Sequence, residues 1–98
     1  MPLKDLTPAS FEEILNTRFQ LQAGEGNTLD LELFQVARLE EHGGPRRQPF
    51  SVLFRGPRNV VLPQAIYRVE HERLGAMEIF LVPIGPDGQG MRYEAVFN

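Results

Sequence analysis

The groups in this chain best suited to chemistry are His71, flanked by Glu70 and Glu72, and three pairs of carboxylates: Glu12-Glu13, Asp30/Glu32 and Glu40-Glu41. A histidine titrates near neutral pH, and with acids beside it can serve as a general base or a metal ligand. In an extended strand, however, successive side chains point to opposite faces, so Glu70 and Glu72 share one side and His71 stands alone on the other. A hydrolytic or ligand-binding site at His71 therefore needs acids from another strand. The simpler expectation is a hydrogen-bonded structural histidine at a strand end, with no metal. Asp30 and Glu32 share one strand face at roughly 7 Å, a separation open to two catalytic carboxylates. Any solvated strand face produces the same pattern, and nothing around them supplies the burial that would set the two acids apart.

Other motifs are weaker. Gly85-Pro86-Asp87-Gly88-Gln89-Gly90 holds one carboxylate where a calcium loop needs several, and it lacks the lysine and following helix of a phosphate loop. A hairpin turn explains it. Ser10 and Ser51 belong to a helix start and a strand, not to the strand–turn–helix elbow of a serine nucleophile. The absence of cysteine removes disulfides, thiolate zinc sites and cysteine nucleophiles together. No catalytic, cofactor-binding or metal-binding set emerges, and no cofactor is expected.

Ten Lys and Arg against thirteen Asp and Glu give a net charge of -3. The one local basic cluster is Arg46-Arg47, with Arg55 and Arg58 further on, too little to attract a phosphate backbone; no nucleic-acid partner is expected. Met1 to Leu6 lacks the apolar core of a signal peptide, and no stretch approaches the ~20 apolar residues of a membrane helix. Cytoplasmic residence away from membranes is the expectation, with export by another route left open.

The elements that must position these groups are mostly strands. Thr7-Pro8 reads as a helix N-cap with proline in the first turn, and Ser10 with Glu13 as an alternative capping box. Phe11, Ile14 and Leu15 then give a short amphipathic helix of about two turns. From Thr17 the period becomes 2. Phe19 and Leu21 mark a first strand, and residues 23–27 a hairpin loop. Leu29, Leu31 and Leu33 mark a second strand whose apolar parity flips at Phe34 and Val36; a bulge, a bend or the covering of both faces would do this, which predicts an irregularity near Leu33-Phe34. Residues 40–49 form a polar loop. Phe50, Val52 and Phe54 define a third strand, and Val60 to Leu62 an apolar loop tucked beneath the domain. Tyr67 to His71 and Met77 to Ile84 follow, the latter apolar on both faces and so expected to be central, or to lie beneath the helix on one side and the core on the other. Met91 to Phe97 ends the chain.

These elements predict a single domain over residues 1–98. The fold class is mainly β: one antiparallel six-stranded sheet curled into a small barrel or sandwich, with one short N-terminal α-helix. The expected core is Phe11, Phe19, Leu21, Leu31, Val52, Phe54, Tyr67, Val69, Ile79, Leu81, Tyr93 and Phe97. Leu53, Arg55, Arg92, Glu94 and Val96 then face outward as a candidate interaction surface.

The C-terminal half resembles a small bacterial family known as a domain of unknown function. The resemblance lies in Leu53-Phe54-Arg55-Gly56-Pro57, Leu62-Pro63-Gln64 with Tyr67, Glu70-His71, Leu74-Gly75, Phe80 to Asp87, and Gly90 to Asn98. Leu6-Thr7, Phe11 and Phe19 extend it over most of the chain. Ala65 departs from it, standing where a small turn residue such as glycine is expected. The resemblance implies little chemistry; it implies an association with phage tail-collar or tail-fibre-like proteins, by neighbourhood and not by mechanism. The function expected is a non-enzymatic interaction or assembly domain with a protein partner or a homo-oligomeric state. The alternative is a small-molecule binding barrel or minor hydrolase using His71. A sheet that fails to close would dock its partner along a free edge strand, in preference to the loop of residues 40–49.

Overall fold

The computed structural model describes residues 5–39 and 48–98. Most of the loop expected over 40–49, with Glu40-Glu41 and Arg46-Arg47, lies outside the described residues. The elements run α1 (Pro8–Glu12), β1 (Arg18–Gly24), β2 (Asn27–Arg38), β3 (Phe50–Gly56), β4 (Ala65–His71), β5 (Gly75–Asp87) and β6 (Gly90–Phe97). All pairings are antiparallel, and the order β1-β2-β3-β6-β5-β4 closes into a barrel. Of the two expected forms it is the barrel that the chain adopts.

Thr7 caps α1. Its Oγ1 accepts from the Ser10 amide at 3.3 Å while Ser10 Oγ accepts from the Thr7 amide at 3.0 Å, with Pro8 in the first turn. Ser10, not Glu13, completes the capping box. At five residues the helix is shorter than the expected two turns. The chain beyond it is already committed to the sheet: the Asn16 amide donates to Leu33 O at 2.7 Å, and the Leu33 amide to Thr17 O at 3.1 Å. Asn16 makes the reversal at φ 67°, a left-handed conformation asparagine tolerates better than most residues. The helix closes one barrel end, where Phe11 meets Phe50 and Phe97 with ring centroids 5.8 and 5.4 Å away, and Phe50 stacks on Phe97 at 4.9 Å.

Two bulges shape the strands. In β2, Leu33 opposes Phe54 and Gln35 opposes Leu53, so Phe34 is the extra residue; this is the irregularity the parity change predicts. In β5 the register shifts between Pro83 and Gly85, and the strand continues through Pro86 to Asp87. Gly85-Pro86 thus belongs to β5, and the turn begins only at Asp87. Prolines fit there because β4 starts at Ala65, opposite Leu81. Past Leu81 that side of β5 has no ladder partner, and a missing N–H leaves no bond unmade.

Eleven of the twelve expected core residues are buried; Tyr67 is half-buried, its hydroxyl donating to Pro63 O at 2.5 Å. The apolar loop after β3 does tuck in at Leu62, whose amide donates to the Tyr93 hydroxyl at 3.0 Å, but leaves Val61 exposed. Of the two placements expected for residues 77–84, the strand takes the central one, between β4 and β6, and not the one beneath the helix. Met77, Ile79 and Leu81 point inward, whereas Glu78 and Phe80 face solvent. A closed barrel this small has one inside, filled by side chains, and the single short helix caps its end, not its flank.

Glycine at position 90 is fixed by close approach: a Cβ there would sit 2.3 Å from Gly56 O and 3.0 Å from Arg55 Cγ. Gly90→Ala should therefore lower stability by ~1–3 kcal/mol through forced backbone movement. Gly88→Ala, with nothing within 4 Å of the added atom, should stay within about 0.5 kcal/mol of wild type. Denaturant unfolding of both variants measures the difference, and equal losses would contradict the β3–β6 register.

Candidate functional site

β4 ends at His71, and β4 meets β1 through only two residue pairs, Gln20↔Glu70 and Leu21↔Val69. At the end of this short seam His71 turns inward, 6 % exposed, with its ring against Phe19 at a centroid distance of 4.5 Å. Its Nδ1 accepts from the Arg73 amide at 3.0 Å and the Leu74 amide at 3.4 Å. An Nδ1 that faces two donors is unprotonated, which assigns the neutral ring's proton to Nε2. That proton is directed at Thr17 Oγ1, 2.8 Å away, and Thr17 Oγ1 in turn donates to Ile14 O at 2.6 Å. Burial holds the imidazole below its ordinary pKa; nearby Glu72 opposes the shift and Arg73 adds to it. Glu70 and Glu72 do not reach the ring. Both nitrogens are occupied by the fold, the arrangement of a structural histidine.

At the same seam lies an open cleft of about 760 Å³ bordered by Asn16, Thr17, Arg18, Gln20, Asp30, Leu31, Glu32, Arg55, Glu70, His71 and Glu72. The sequence-selected pair Asp30/Glu32 is here, on the outer face of β2, and Glu70 joins it across β1. Three of the four carboxylates are matched with arginines: Asp30 with Arg18 at 3.6 Å, Glu32 with Arg55 at 3.6 Å, Glu70 with Arg68 at 3.5 Å. Asp30 and Glu32 remain about half exposed. Pairs of this kind stabilise little, and the surroundings lack the burial that sets a catalytic acid apart from its base. Glu12 is tied to Arg38 at 2.8 Å.

Leu53, Arg55, Arg92, Glu94 and Val96 are brought together on the outer face of β3 and β6, where Leu53 opposes Glu94, Arg55 opposes Arg92, and Val96 opposes Ser51. Two of the five are held by the protein itself. Arg55 lies 4.1 Å over the Phe34 ring and gives two hydrogen bonds, 2.7 and 3.0 Å, to Asp87 Oδ2. Asp87 Oδ1 accepts from the amides of Gln89 and Gly90 at 2.8 and 3.0 Å. These bonds, the Arg55 side chain foremost, hold its carboxyl at about 2. Arg92 Nε donates to Gly85 O at 3.2 Å.

Sequence reasoning did not single out Ile66 and Phe80. They pair across β4 and β5, and they are 65 % and 50 % exposed. Val96, 51 % exposed, continues the row, because it and Phe80 each stand two residues along from the Val82↔Glu94 pair. The legible signal was parity: Phe80 shares a face with Glu78, and Ile66 with Arg68 and Glu70.

Two acid-side losses of stability follow. His71 is favoured neutral in the folded chain, so stability is full above pH ~6.5 and declines as pH falls below that ordinary value. Asp87 is favoured ionised, so its contribution is present above pH 3.8 and is lost as pH falls from there to about 2. Thermal unfolding against pH should show both steps. His71→Gln should flatten the first and Asp87→Asn the second; a step that survives its own substitution contradicts the assignment.

No curated protein and no solved structure matches the chain. One family model does, over residues 6–97, almost the entire length and the whole barrel. The chain belongs to the family described as a domain of unknown function, DUF6916.

Proposed function

We propose that this domain is a non-enzymatic binding module that docks a protein partner on the outer face of β4, β5 and β6. One observation carries the reading: Ile66, Phe80 and Val96 form a row of large apolar side chains, each half or more exposed, across three adjacent strands. Scattered surface apolar residues are ordinary, whereas a contiguous row marks an interaction surface. Half-buried Val82 and Leu53 extend it on either side of Glu94. A tail-like or fibre-like assembly, the setting the family resemblance implies, is the kind of partner such a module would join. The edge-strand route has less support, because each strand of the closed barrel has a neighbour on both sides. The hydrolase or carrier reading based on His71 has less still, since Thr17 and two backbone amides engage its ring.

Photo-crosslinking in the native cell tests this. Phe80→p-benzoylphenylalanine should give a discrete protein adduct, and Asp30→p-benzoylphenylalanine, on the charged cleft, should not. Adducts from position 30 alone would move the working surface to the cleft and contradict the proposal.

A further inference from the structure

The charges around the apolar row have a symmetry that names a partner. Arg68↔Glu78 is the pair on one side of Ile66↔Phe80, and Val82↔Glu94 lies two residues along on the other. Arg68 and Glu94 therefore sit diagonally across Phe80, each one strand over and two residues along in opposite directions, about 8 Å from it by sheet spacing. An isologous contact repeats every pairing twice, so a surface is self-complementary only if opposite charges exchange places about its centre. Arg68 and Glu94 meet that condition, with Glu78 left beside the partner's apolar row. A two-fold axis through Phe80, in the plane of contact and perpendicular to the Arg68–Glu94 diagonal, stacks Phe80 on Phe80 and sets each Arg68 against the partner's Glu94.

Both charges are free to respond. Glu94 has no ion-pair partner among the described residues, and Arg68 holds only the exposed 3.5 Å contact with Glu70. We infer that the outer face of β4, β5 and β6 binds a second copy of this chain, with Phe80 at the centre and reciprocal Arg68–Glu94 pairs at the rim. The inference rests on the reading of this face as a docking surface and specifies its occupant. Three strands at ~4.8 Å spacing over ~20 Å of length present about 300 Å², well short of the ~800 Å² per partner of a stable complex. The dimer is accordingly weak and reversible.

Sedimentation equilibrium of the full chain at low salt, up to about 1 mM, should show a monomer–dimer equilibrium that Phe80→Ser weakens about tenfold. Arg68→Glu and Glu94→Arg should each weaken it several-fold, and the double variant should restore it, because the two reversals recreate the pairs. All these positions are exposed or half-buried on the barrel exterior, and circular dichroism will report their folding. A strictly monomeric chain, a dimer indifferent to Phe80→Ser, or a double variant no better than the single ones would each overturn the inference. Crosslinking from position 80 separates this failure from failure of the docking reading. Crosslinked as purified chain at the concentrations of the sedimentation experiment, position 80 should give a self-adduct; in the cell an adduct with a different protein overturns the homodimer alone, and absence of any adduct in both settings overturns both.

Discussion

Everything in this structure depends on the sheet finding its own edge. Six antiparallel strands in the order β1-β2-β3-β6-β5-β4 have two free sides, on β1 and β4, and the chain joins them through a seam of two residue pairs, where its other seams hold five to seven. Main-chain bonds alone make a short seam weak. Side chains reinforce it: the His71 ring packs on Phe19 and its Nε2–H reaches Thr17, whose hydroxyl bonds the turn after α1. One imidazole thereby links β4, β1 and the chain segment that enters the barrel. Its pKa is depressed for the same reason that it works as a clamp, since it is buried.

Closure also decides where function can lie. A barrel of this size fills its interior with side chains, and the phenylalanine stack under α1 seals one end. With edges removed and the inside packed, the outer faces remain. They differ in character. The β1–β2 side is charged and internally matched, arginine against carboxylate. The β4–β5–β6 side carries the apolar row, with Glu94 left unmatched among the described residues. The Asp87–Arg55 contact belongs to the scaffold: it ties the β5–β6 turn to β3 and holds Arg55 over Phe34.

Alternation in the residues made most of the architecture legible, because a period of 2 fixes which side chains share a face. Even the bulge at Phe34 followed from a change of parity. Which of the two placements residues 77–84 would take did not follow, because an apolar run says only that two faces could be buried and not that the fold has material to bury both. Gly85-Pro86 misplaced a turn, since the tolerance of Pro86 in a strand depends on where β4 begins, a fact of tertiary pairing. The histidine's isolation from Glu70 and Glu72 was readable from strand geometry. Its partner Thr17, 54 positions away, was not, and neither was the row of Ile66, Phe80 and Val96, which only the cross-strand register assembles.

Native-state hydrogen exchange on Thr17→Val probes the central claim, closure through a clamped short seam, most directly. The substitution removes the acceptor of the His71 proton and the bond to Ile14 O while leaving the main chain unchanged. The amides of residues 19–22 and 68–71 should exchange about tenfold faster or more, as expected for local opening, while those pairing β3 with β6 should change far less. Uniform acceleration across the barrel, or no change at the seam, would contradict it.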